Sequence, residues 1–155
     1  FTILQMAKAA SIIANKGKIM KPRLFRGSQN QLTKEFKLAK SINEGNVNID
    51  KNYFEIVTNA MVEVNKVGTG SRVLGNTSYD VAGKTGTAQV FTIKQDEEYD
   101  SDKVPERLKD HSLYIGFAPS KKPKVAVAVV VENGGFGVTS AAPIAKTIFD
   151  YFLKN

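Results

Sequence analysis

Five consecutive residues, Gly83 to Thr87, carry the side chains with the clearest chemical potential in the chain. Lys84 offers a positive charge, and Thr85 and Thr87 offer hydroxyl donors beside it. This combination suits a site that receives a carboxylate and a developing oxyanion. Because Gly83 and Gly86 lack a Cβ, a ligand can approach the backbone closely at both positions.

The residues around this motif predict a β-strand over positions 79–91, because β-branched and aromatic residues follow Thr87. A phosphate-binding loop is a second interpretation of the Gly-Lys-Thr sequence, but it requires a glycine at position 78 and a helix after the lysine. Ser78 occupies that position, and strand-forming residues follow the lysine. An ordinary edge strand with an exposed lysine is a third interpretation, which the motif alone leaves open.

Composition narrows the class of protein. With 155 residues, of which 42% are hydrophobic, the chain has the size of one domain or a large part of one. It contains no cysteine, which excludes a disulfide framework and a thiolate nucleophile. The longest apolar run, Val125–Val131, is much shorter than a membrane span. The chain begins with Phe1 rather than Met, so we expect it to be a piece of a longer protein.

We expect no cofactor and no metal site. The one histidine, His111, cannot form a His-rich metal site. A site made only of carboxylates is the alternative in the acidic insert, residues 94–110, but consecutive charges favour a solvated loop. The carboxylates concerned belong to Asp96, Glu97, Glu98, Asp100 and Asp102.

The net charge of +7 is concentrated in the first quarter of the chain. Residues 1–40 hold nine Lys and Arg residues against Glu35 alone, whereas the remaining 115 residues hold 13 basic and 14 acidic residues. Nucleic acid, an anionic membrane surface and an anionic polymer are partners that such a patch attracts. Apart from Phe25 and Phe36, no aromatic residues alternate with the basic ones, so we expect a solvated basic face and no nucleic-acid partner.

Capping signals and apolar periodicity predict three helices. Thr2 is the expected N-cap of the first, with Gln5 three residues later, and Gly17 ends it. Asp50 caps a second helix over 51–66, and Ser140 caps the last one. The predicted apolar face of the second helix comprises Phe54, Val57, Met61 and Val64, and that of the last comprises Ile144, Ile148, Phe149 and Phe152.

Two further strands are predicted at 112–118 and 124–132, joined by a turn rich in proline and lysine. A link of that length favours an antiparallel hairpin. The polar segment 26–50 predicts a surface excursion with short strands. Together the elements predict an α+β fold, in which an antiparallel sheet of the motif strand and the hairpin is packed by the N- and C-terminal helices.

The order of these elements and eight sequence blocks resemble the class B penicillin-binding protein transpeptidases, and among them the elongation type. The blocks are residues 2–7, 13–18, 21–24, 83–89, 106–111, 116–119, 132–135 and 141–145. Lys84 to Gly86 form the K-T-G motif that these enzymes share with serine β-lactamases. The resemblance implies that residues 1–155 are the C-terminal portion of a transpeptidase domain with the penicillin-binding and serine β-lactamase-like fold.

The activity that the resemblance implies is D,D-transpeptidation, which cross-links peptidoglycan stem peptides and is the target of β-lactam antibiotics. A serine attacks the D-Ala-D-Ala amide and releases the terminal D-Ala. An amine from a neighbouring strand then resolves the acyl-enzyme. A non-enzymatic penicillin sensor or scaffold module of the same fold is the alternative.

The resemblance also assigns roles within the motif. Lys84 would join the polar network around the nucleophile and raise the positive potential there. Thr85 and Thr87 would bind the terminal carboxylate of the substrate through their hydroxyls, and the backbone N–H of Thr87 would be one donor of the oxyanion hole. Gly86 would keep the strand surface clear for the extended substrate.

One part of the family pattern is missing from the chain. No lysine has a serine three residues before it, so S-x-x-K is absent. Ser28 and Ser41 each begin an S-x-N match, but both lie after the first helix, whereas the family places that motif before it. We therefore treat them as chance matches and expect the nucleophile upstream of Phe1. The chain alone is not expected to catalyse the reaction.

His111 is the only histidine in the chain. His111 follows Asp110, but a structural role that anchors the acidic insert by hydrogen bonds is preferred to general-base catalysis, because the proton transfers of the family use lysine and serine. The resemblance places the protein at the periplasmic face of the bacterial inner membrane, with its anchor outside this chain. It also suggests a RodA-type glycan polymerase and an MreC-type scaffold as partners.

Overall fold

The helices and strands are seen in a computed structural model, which describes residues 1–90 and 104–154. In chain order they are α1 (Ile3–Ala14), β1 (Lys18–Met20), β2 (Gly27–Gln29), β3 (Phe36–Leu38), β4 (Asn43–Asn46), α2 (Lys51–Lys66), α3 (Ser71–Leu74), β5 (Ala82–Ala88), a one-turn 3-10 helix (Glu106–Leu108), β6 (His111–Ala118), β7 (Val125–Val131) and α4 (Ala141–Lys154).

β5, β6 and β7 form one antiparallel sheet in that order. Within it, Lys84 lies opposite Ile115 and Thr85 lies opposite Tyr114. Two small antiparallel pairs, β1 with β4 and β2 with β3, accommodate the polar excursion. The predicted α+β fold, with the motif strand and a hairpin in one sheet, is confirmed.

Helices cover both faces of the sheet. Tyr114 and Phe117 are three positions apart on β6, so their side chains point to opposite faces. On one face Tyr114 belongs to a core cluster with Phe149 of α4. On the other face Phe117 packs with Met61 of α2 and Ile13 of α1. The sheet that carries the motif is thus held between the N-terminal and C-terminal helices.

The predicted caps of the first two helices are confirmed, whereas the Ser140 hydroxyl before α4 donates to the Gly134 carbonyl at 2.6 Å and is not seen to cap the helix. Thr2 and Gln5 form a capping box, in which the Gln5 N–H donates to the Thr2 hydroxyl at 3.2 Å. The Asp50 carboxylate accepts from the N–H of Asn52 at 2.9 Å. Gly17 follows the first helix with a φ of 95°, a left-handed conformation that favours glycine.

The predicted apolar face of α2 is only partly correct. Phe54 and Met61 are buried, but Val57 is 43% exposed, and the buried residues near the end of the helix are Val62 and Asn65. The side of α2 that packs on the sheet includes a polar residue, Asn65. A prediction based on apolar residues alone therefore places the buried face a fraction of a turn away from its true position.

The predicted apolar face of α4 is also partly wrong. Phe149 is fully buried, but Ile144 and Phe152 are 45% and 58% exposed. The buried residues of the first turns are instead three alanines, Ala141, Ala142 and Ala145. The N–H of Ala141 bonds to the Ser112 hydroxyl of β6 at 3.0 Å, so the helix backbone approaches the sheet too closely for larger side chains.

Several boundaries differ from the sequence prediction. The motif strand is shorter than residues 79–91, because Tyr79 is held outside the ladder and the ladder ends at Ala88. The short helix α3 was not predicted. Of the acidic insert, residues 104–110 are described, whereas Asp96, Glu97, Glu98, Asp100 and Asp102 lie outside the described residues. Among the residues that are described, no helix is long and apolar enough to cross a membrane.

A small polar cluster fastens the segment before β5 to α4. The Asp150 carboxylate accepts from the Tyr79 hydroxyl, from Lys146 Nζ at 2.5 Å and from Lys154 Nζ at 3.0 Å. The hydrogen bonds from Lys146, Tyr79 and Lys154 hold the pKa of Asp150 well below its ordinary value. Burial and the neighbouring Asp150 raise the pKa of Tyr79, which keeps the donor hydroxyl protonated.

We predict that Asp150→Asn destabilises the intact protein by about 1 kcal/mol at neutral pH, because hydrogen bonds to a partly exposed charge are lost. Folding lowers the pKa of Asp150, so its contribution is fully present above the unfolded carboxyl pKa of about 4. It is lost as the pH falls below that value, through the lower pKa of the folded state. Thermal unfolding of the parent and the variant across this acidic range measures the gap.

Asp80→Asn is the matched control, because Asp80 pairs with Lys66 across an exposed 3.1 Å ion pair. Exposed pairs contribute little to stability, so this variant should unfold close to the parent temperature at every pH. The difference in stability between the parent and Asp150→Asn should shrink as the pH falls. If it stays constant at acidic pH, the stabilising role of the ionised Asp150 carboxylate is wrong.

Candidate functional site

Lys84, Thr85, Gly86 and Thr87 lie on β5, which is an edge strand among the described residues. β5 pairs with β6 on one side, and no strand of residues 1–90 or 104–154 lies along its other side. We call this side of β5 the open edge. An open edge offers backbone N–H and C=O groups to an extended ligand in the way a further strand would use them.

The hydrogen bonds of β5 show which peptide groups face the open edge. The carbonyl of Val81 accepts from the Asn65 amide at 2.9 Å, and the carbonyl of Thr85 accepts from Lys84 Nζ at 2.7 Å. Both donors are side chains outside the ladder with β6. Because peptide groups alternate in direction along an antiparallel strand, the odd-numbered residues of β5 point theirs outward. Thr87 belongs to this set, so its N–H and C=O also face the open edge.

The side chains of the two threonines share one face of the sheet but differ in exposure. Thr85 lies opposite Tyr114 and is 9% exposed, whereas Thr87 lies opposite Ser112 and is exposed. The structure therefore brings both side chains to one face, where Thr85 is buried and Thr87 is exposed. The Thr85 hydroxyl is 2.8 Å from the hydroxyl of Thr69, in the turn between α2 and α3.

Lys84 has an exposed side chain that bends back to the open edge. Its ammonium group donates to the carbonyl of Thr85, so a full positive charge lies beside the outward peptide groups. A charge at this position attracts an anionic ligand toward the same stretch of backbone. The cation and the outward peptide groups of the motif strand are thus adjacent in space.

The loop between β7 and α4 packs against the motif strand at Gly86. A Cβ on Gly137 of this loop would lie 2.5 Å from the Gly86 carbonyl oxygen and 2.6 Å from that of Leu113. The buried Ser112 hydroxyl holds the loop by donating to the Phe136 carbonyl at 3.0 Å. Glycine is therefore required at position 137, and the loop and the strand form one packed unit.

A buried polar cluster that the sequence analysis missed supports the start of β5. The Asn65 amide donates to the Tyr114 hydroxyl at 3.1 Å as well as to Val81, and burial raises the pKa of Tyr114. A Cβ on Gly83 would lie 2.0 Å from the Tyr114 hydroxyl oxygen. The signal for this cluster was available as a polar residue, Asn65, at helical spacing from Met61 on the sheet-facing side of α2.

His111 is held in a structural hydrogen bond. Its Nδ1 accepts from the N–H of Asn133 at 3.0 Å, at the end of β7. The Asn133 amide in turn donates to the carbonyls of Arg107 and Lys109 at 3.0 and 2.9 Å. The predicted anchoring role of His111 is therefore only partly correct, because His111 bonds to the end of β7 and the side chain that bonds to the insert residues Arg107 and Lys109 is Asn133.

The phosphate-binding loop does not fit the observed strand, and the two S-x-N matches lie outside the sheet that carries the motif. Strand β5 continues from Lys84 to Ala88, so the helix that a phosphate-binding loop requires after its lysine is not there. Ser28 lies on β2 and Ser41 precedes β4, so neither lies on the sheet that carries the motif. Within the part of the chain that the structure describes, no three His, Asp or Glu residues are grouped as metal ligands.

Comparisons with known proteins agree with this architecture. The profile of the penicillin binding protein transpeptidase domain matches residues 1–150. The chain is 41% identical over 155 residues to the peptidoglycan D,D-transpeptidase MrdA of Acinetobacter baumannii, covering 98% of this chain and 22% of that protein. It is 36% identical over 159 residues to MrdA of Haemophilus influenzae, covering 99% and 24%. The chain thus spans about a quarter of the length of these curated relatives.

Among solved structures, penicillin-binding protein A of Mycobacterium tuberculosis in a ceftriaxone acyl-enzyme complex is similar, with a TM-score of 0.76 and 30% identity. The match covers 99% of this chain and 32% of that one. PBP2 of Pseudomonas aeruginosa in complex with WCK 5153 has a TM-score of 0.72 and 28% identity, covering 100% and 31%. The chain belongs to the penicillin-binding protein transpeptidase domain family.

Proposed function

We propose that this chain is the C-terminal portion of the transpeptidase domain of an elongation-type peptidoglycan D,D-transpeptidase, penicillin-binding protein 2. The observation that carries the proposal is the open edge of β5, where the Thr87 peptide group points outward beside the Lys84 ammonium. The similarity to two MrdA proteins supports the same activity. The nucleophilic serine and its lysine belong to a part of the protein outside this chain.

The substrate of this reaction fits an open strand edge. A stem peptide that ends in D-Ala-D-Ala is an extended chain, so its peptide groups can pair with the outward groups of Thr85 and Thr87 as an added strand does. Its terminal carboxylate needs hydrogen-bond donors and a positive charge. The Thr87 hydroxyl, the Thr85 hydroxyl and Lys84 supply these on the same short stretch of strand.

The Thr87 N–H would stabilise the transition state. When the serine oxygen adds to the carbonyl of the penultimate D-Ala, negative charge develops on the carbonyl oxygen. An N–H that points outward from a fixed strand donates to that oxyanion without reorganisation. Collapse of the tetrahedral intermediate breaks the C–N bond and releases D-Ala, which takes up a proton. The amine of a neighbouring stem peptide then attacks the acyl-serine ester and restores the serine.

Lys84 would act through its charge. Its ammonium lies where the substrate carboxylate and the developing oxyanion approach, so it favours both electrostatically. Gly86 would leave the strand surface open to the peptide, as the sequence analysis expects. β-Lactams would enter the same site, because their acylation places the opened carbonyl at the oxyanion donors and a carboxylate at the threonine hydroxyls.

The cellular setting follows from the proposed activity. Stem-peptide cross-linking takes place at the periplasmic face of the inner membrane, so a membrane anchor would lie in another part of the protein. An elongation-type enzyme would work with a RodA-type glycan polymerase and an MreC-type scaffold. The resemblance to elongation-type enzymes is the support for these partners.

We predict that Lys84→Ala in the intact protein slows acylation by a fluorescent penicillin about 10²-fold or more, because a charge aimed at the site is removed. Thermal unfolding should change little, since the ammonium is exposed. Lys121→Ala is the matched control, an exposed lysine in the turn between β6 and β7. Equal acylation rates for the two variants would contradict the role of Lys84.

We predict that Thr87→Pro removes the oxyanion donor without breaking the sheet, because the Thr87 N–H faces the open edge. Acylation should fall about 10²–10³-fold while the protein still unfolds cooperatively. Thr87→Val, which keeps the N–H and loses only the hydroxyl, should cost about tenfold or less.

Ala88→Pro is the control for the backbone argument, because the alternation of peptide groups directs the Ala88 N–H toward β6. This variant should lower the unfolding temperature more than Thr87→Pro does. A Thr87→Pro protein that is labelled at the parental rate would refute the proposed oxyanion donor. Absence of labelling in the intact parent would favour the non-enzymatic sensor or scaffold.

A further inference from the structure

Thr69 makes an unusual contact for an exposed residue. It lies in the turn between α2 and α3, and its hydroxyl is 2.8 Å from the hydroxyl of Thr85 in the motif. Thr85 is buried, with 9% exposure, whereas Thr69 is exposed. Among the described residues, neither the Thr69 hydroxyl nor the Thr85 hydroxyl makes another hydrogen bond. The contact joins two elements that are sixteen residues apart in the sequence.

Backbone contacts hold this turn in place without help from the Thr69 side chain. The N–H of Gly68 bonds to the Glu63 carbonyl at 3.0 Å, and the N–H of Gly70 bonds to the Val64 carbonyl at 2.9 Å. A Cβ on Gly70 would lie 2.1 Å from Asn65 Oδ1, so the turn rests directly on the end of α2. Removing the Thr69 hydroxyl should therefore leave the path of the turn unchanged.

The same buried amide that supports the turn also supports the motif strand. Asn65 is 2% exposed, and its Nδ2 donates to the Val81 carbonyl and to the hydroxyl of Tyr114, the residue opposite Thr85. The backbones that carry Thr69 and Thr85 thus both pack against Asn65. This shared packing holds the two hydroxyls within hydrogen-bond distance of each other.

Hydroxyl chemistry then restricts the direction of this hydrogen bond when a ligand is bound. A threonine hydroxyl has one hydrogen to donate, and its oxygen can accept. The ligand carboxylate that the proposed function assigns to Thr85 can only accept hydrogen bonds. The hydrogen of the Thr85 hydroxyl must therefore point to that carboxylate. Thr85 can do this without losing its bond to Thr69 if Thr69 becomes the donor. A hydroxyl that accepts one hydrogen bond also donates a stronger one.

We propose that Thr69 is a positioning residue, whose hydroxyl donates to Thr85 and thereby directs the Thr85 hydrogen to the carboxylate of an acyl-D-alanyl peptide or a β-lactam. This inference rests on the proposed function, in which Thr85 binds that carboxylate. Thr69 does not touch the ligand in this arrangement. Its effect on the reaction is transmitted entirely through Thr85.

The test is a double-mutant cycle in the intact protein, with the second-order rate constant of acylation by a fluorescent penicillin as the readout. Thr69→Val should lower this constant about three- to tenfold, the effect of one hydrogen bond. Thr69→Ser, which keeps a hydroxyl at this position, should acylate at close to the parental rate constant. In a Thr85→Val background, Thr69→Val should have no further effect, because its target is gone.

Thr147→Val is the matched control, because Thr147 is an exposed threonine on α4 whose hydroxyl donates to the Pro143 carbonyl. It should be labelled at the parental rate. Thermal unfolding of every variant separates a general loss of structure from an effect on the site.

Three results would overturn the inference while leaving the proposed function intact. The first is independent effects of Thr69→Val and Thr85→Val that multiply in the double variant. The second is a loss of stability in Thr69→Val without a change in acylation, and the third is a Thr85→Val protein that acylates normally although Lys84→Ala does not. If the parent is not labelled at all, the proposed function fails and the inference falls with it.

Discussion

The pairing of β5 with β6 is the interaction on which the candidate site depends. The register of this pairing determines which peptide groups of β5 bond to β6 and which face the open edge, because the direction of the peptide groups alternates along the strand. A shift by one residue would turn the Thr87 amide inward and move the threonine hydroxyls to the opposite face. The helices on the two faces keep this register, since Tyr114 and Phe117 of β6 are buried against different helices.

Close contacts at glycines reinforce the same register. Gly83 lies under the Tyr114 hydroxyl and Gly70 lies against the Asn65 amide, with no room for a Cβ at either position. The Tyr114 hydroxyl accepts from the Asn65 amide, and this buried hydrogen bond would have no substitute if a side chain at position 83 displaced it. Among the residues that the structure describes, the buried Asn65 Oδ1 atom has no hydrogen-bond partner, and an unpaired buried acceptor carries a desolvation cost that the packing around it must offset.

Sequence reasoning worked where the physical cause is local and failed where it is distant. Thr2 and Asp50 were predicted as caps because a capping side chain bonds to N–H groups two or three residues away. The motif strand and hairpin were predicted from composition and turn signals. The buried role of Asn65 was not, because its partner Tyr114 lies 49 residues further along the chain. The open edge and the burial of Thr85 could not be read from the motif either, since both depend on which elements pack beside β5.

The contact between Gly137 and Gly86 has a consequence for how this site can vary between related proteins. The backbones at Gly86 and Gly137 are in direct contact, so there is no side chain between them that a substitution could make larger or smaller. Variation at the rim of the site is therefore expected at neighbours such as Phe136, whose side chain is 55% exposed. Related proteins that differ in ligand preference would be expected to differ at such flanking positions, while Gly86 and Gly137 stay constant beneath them.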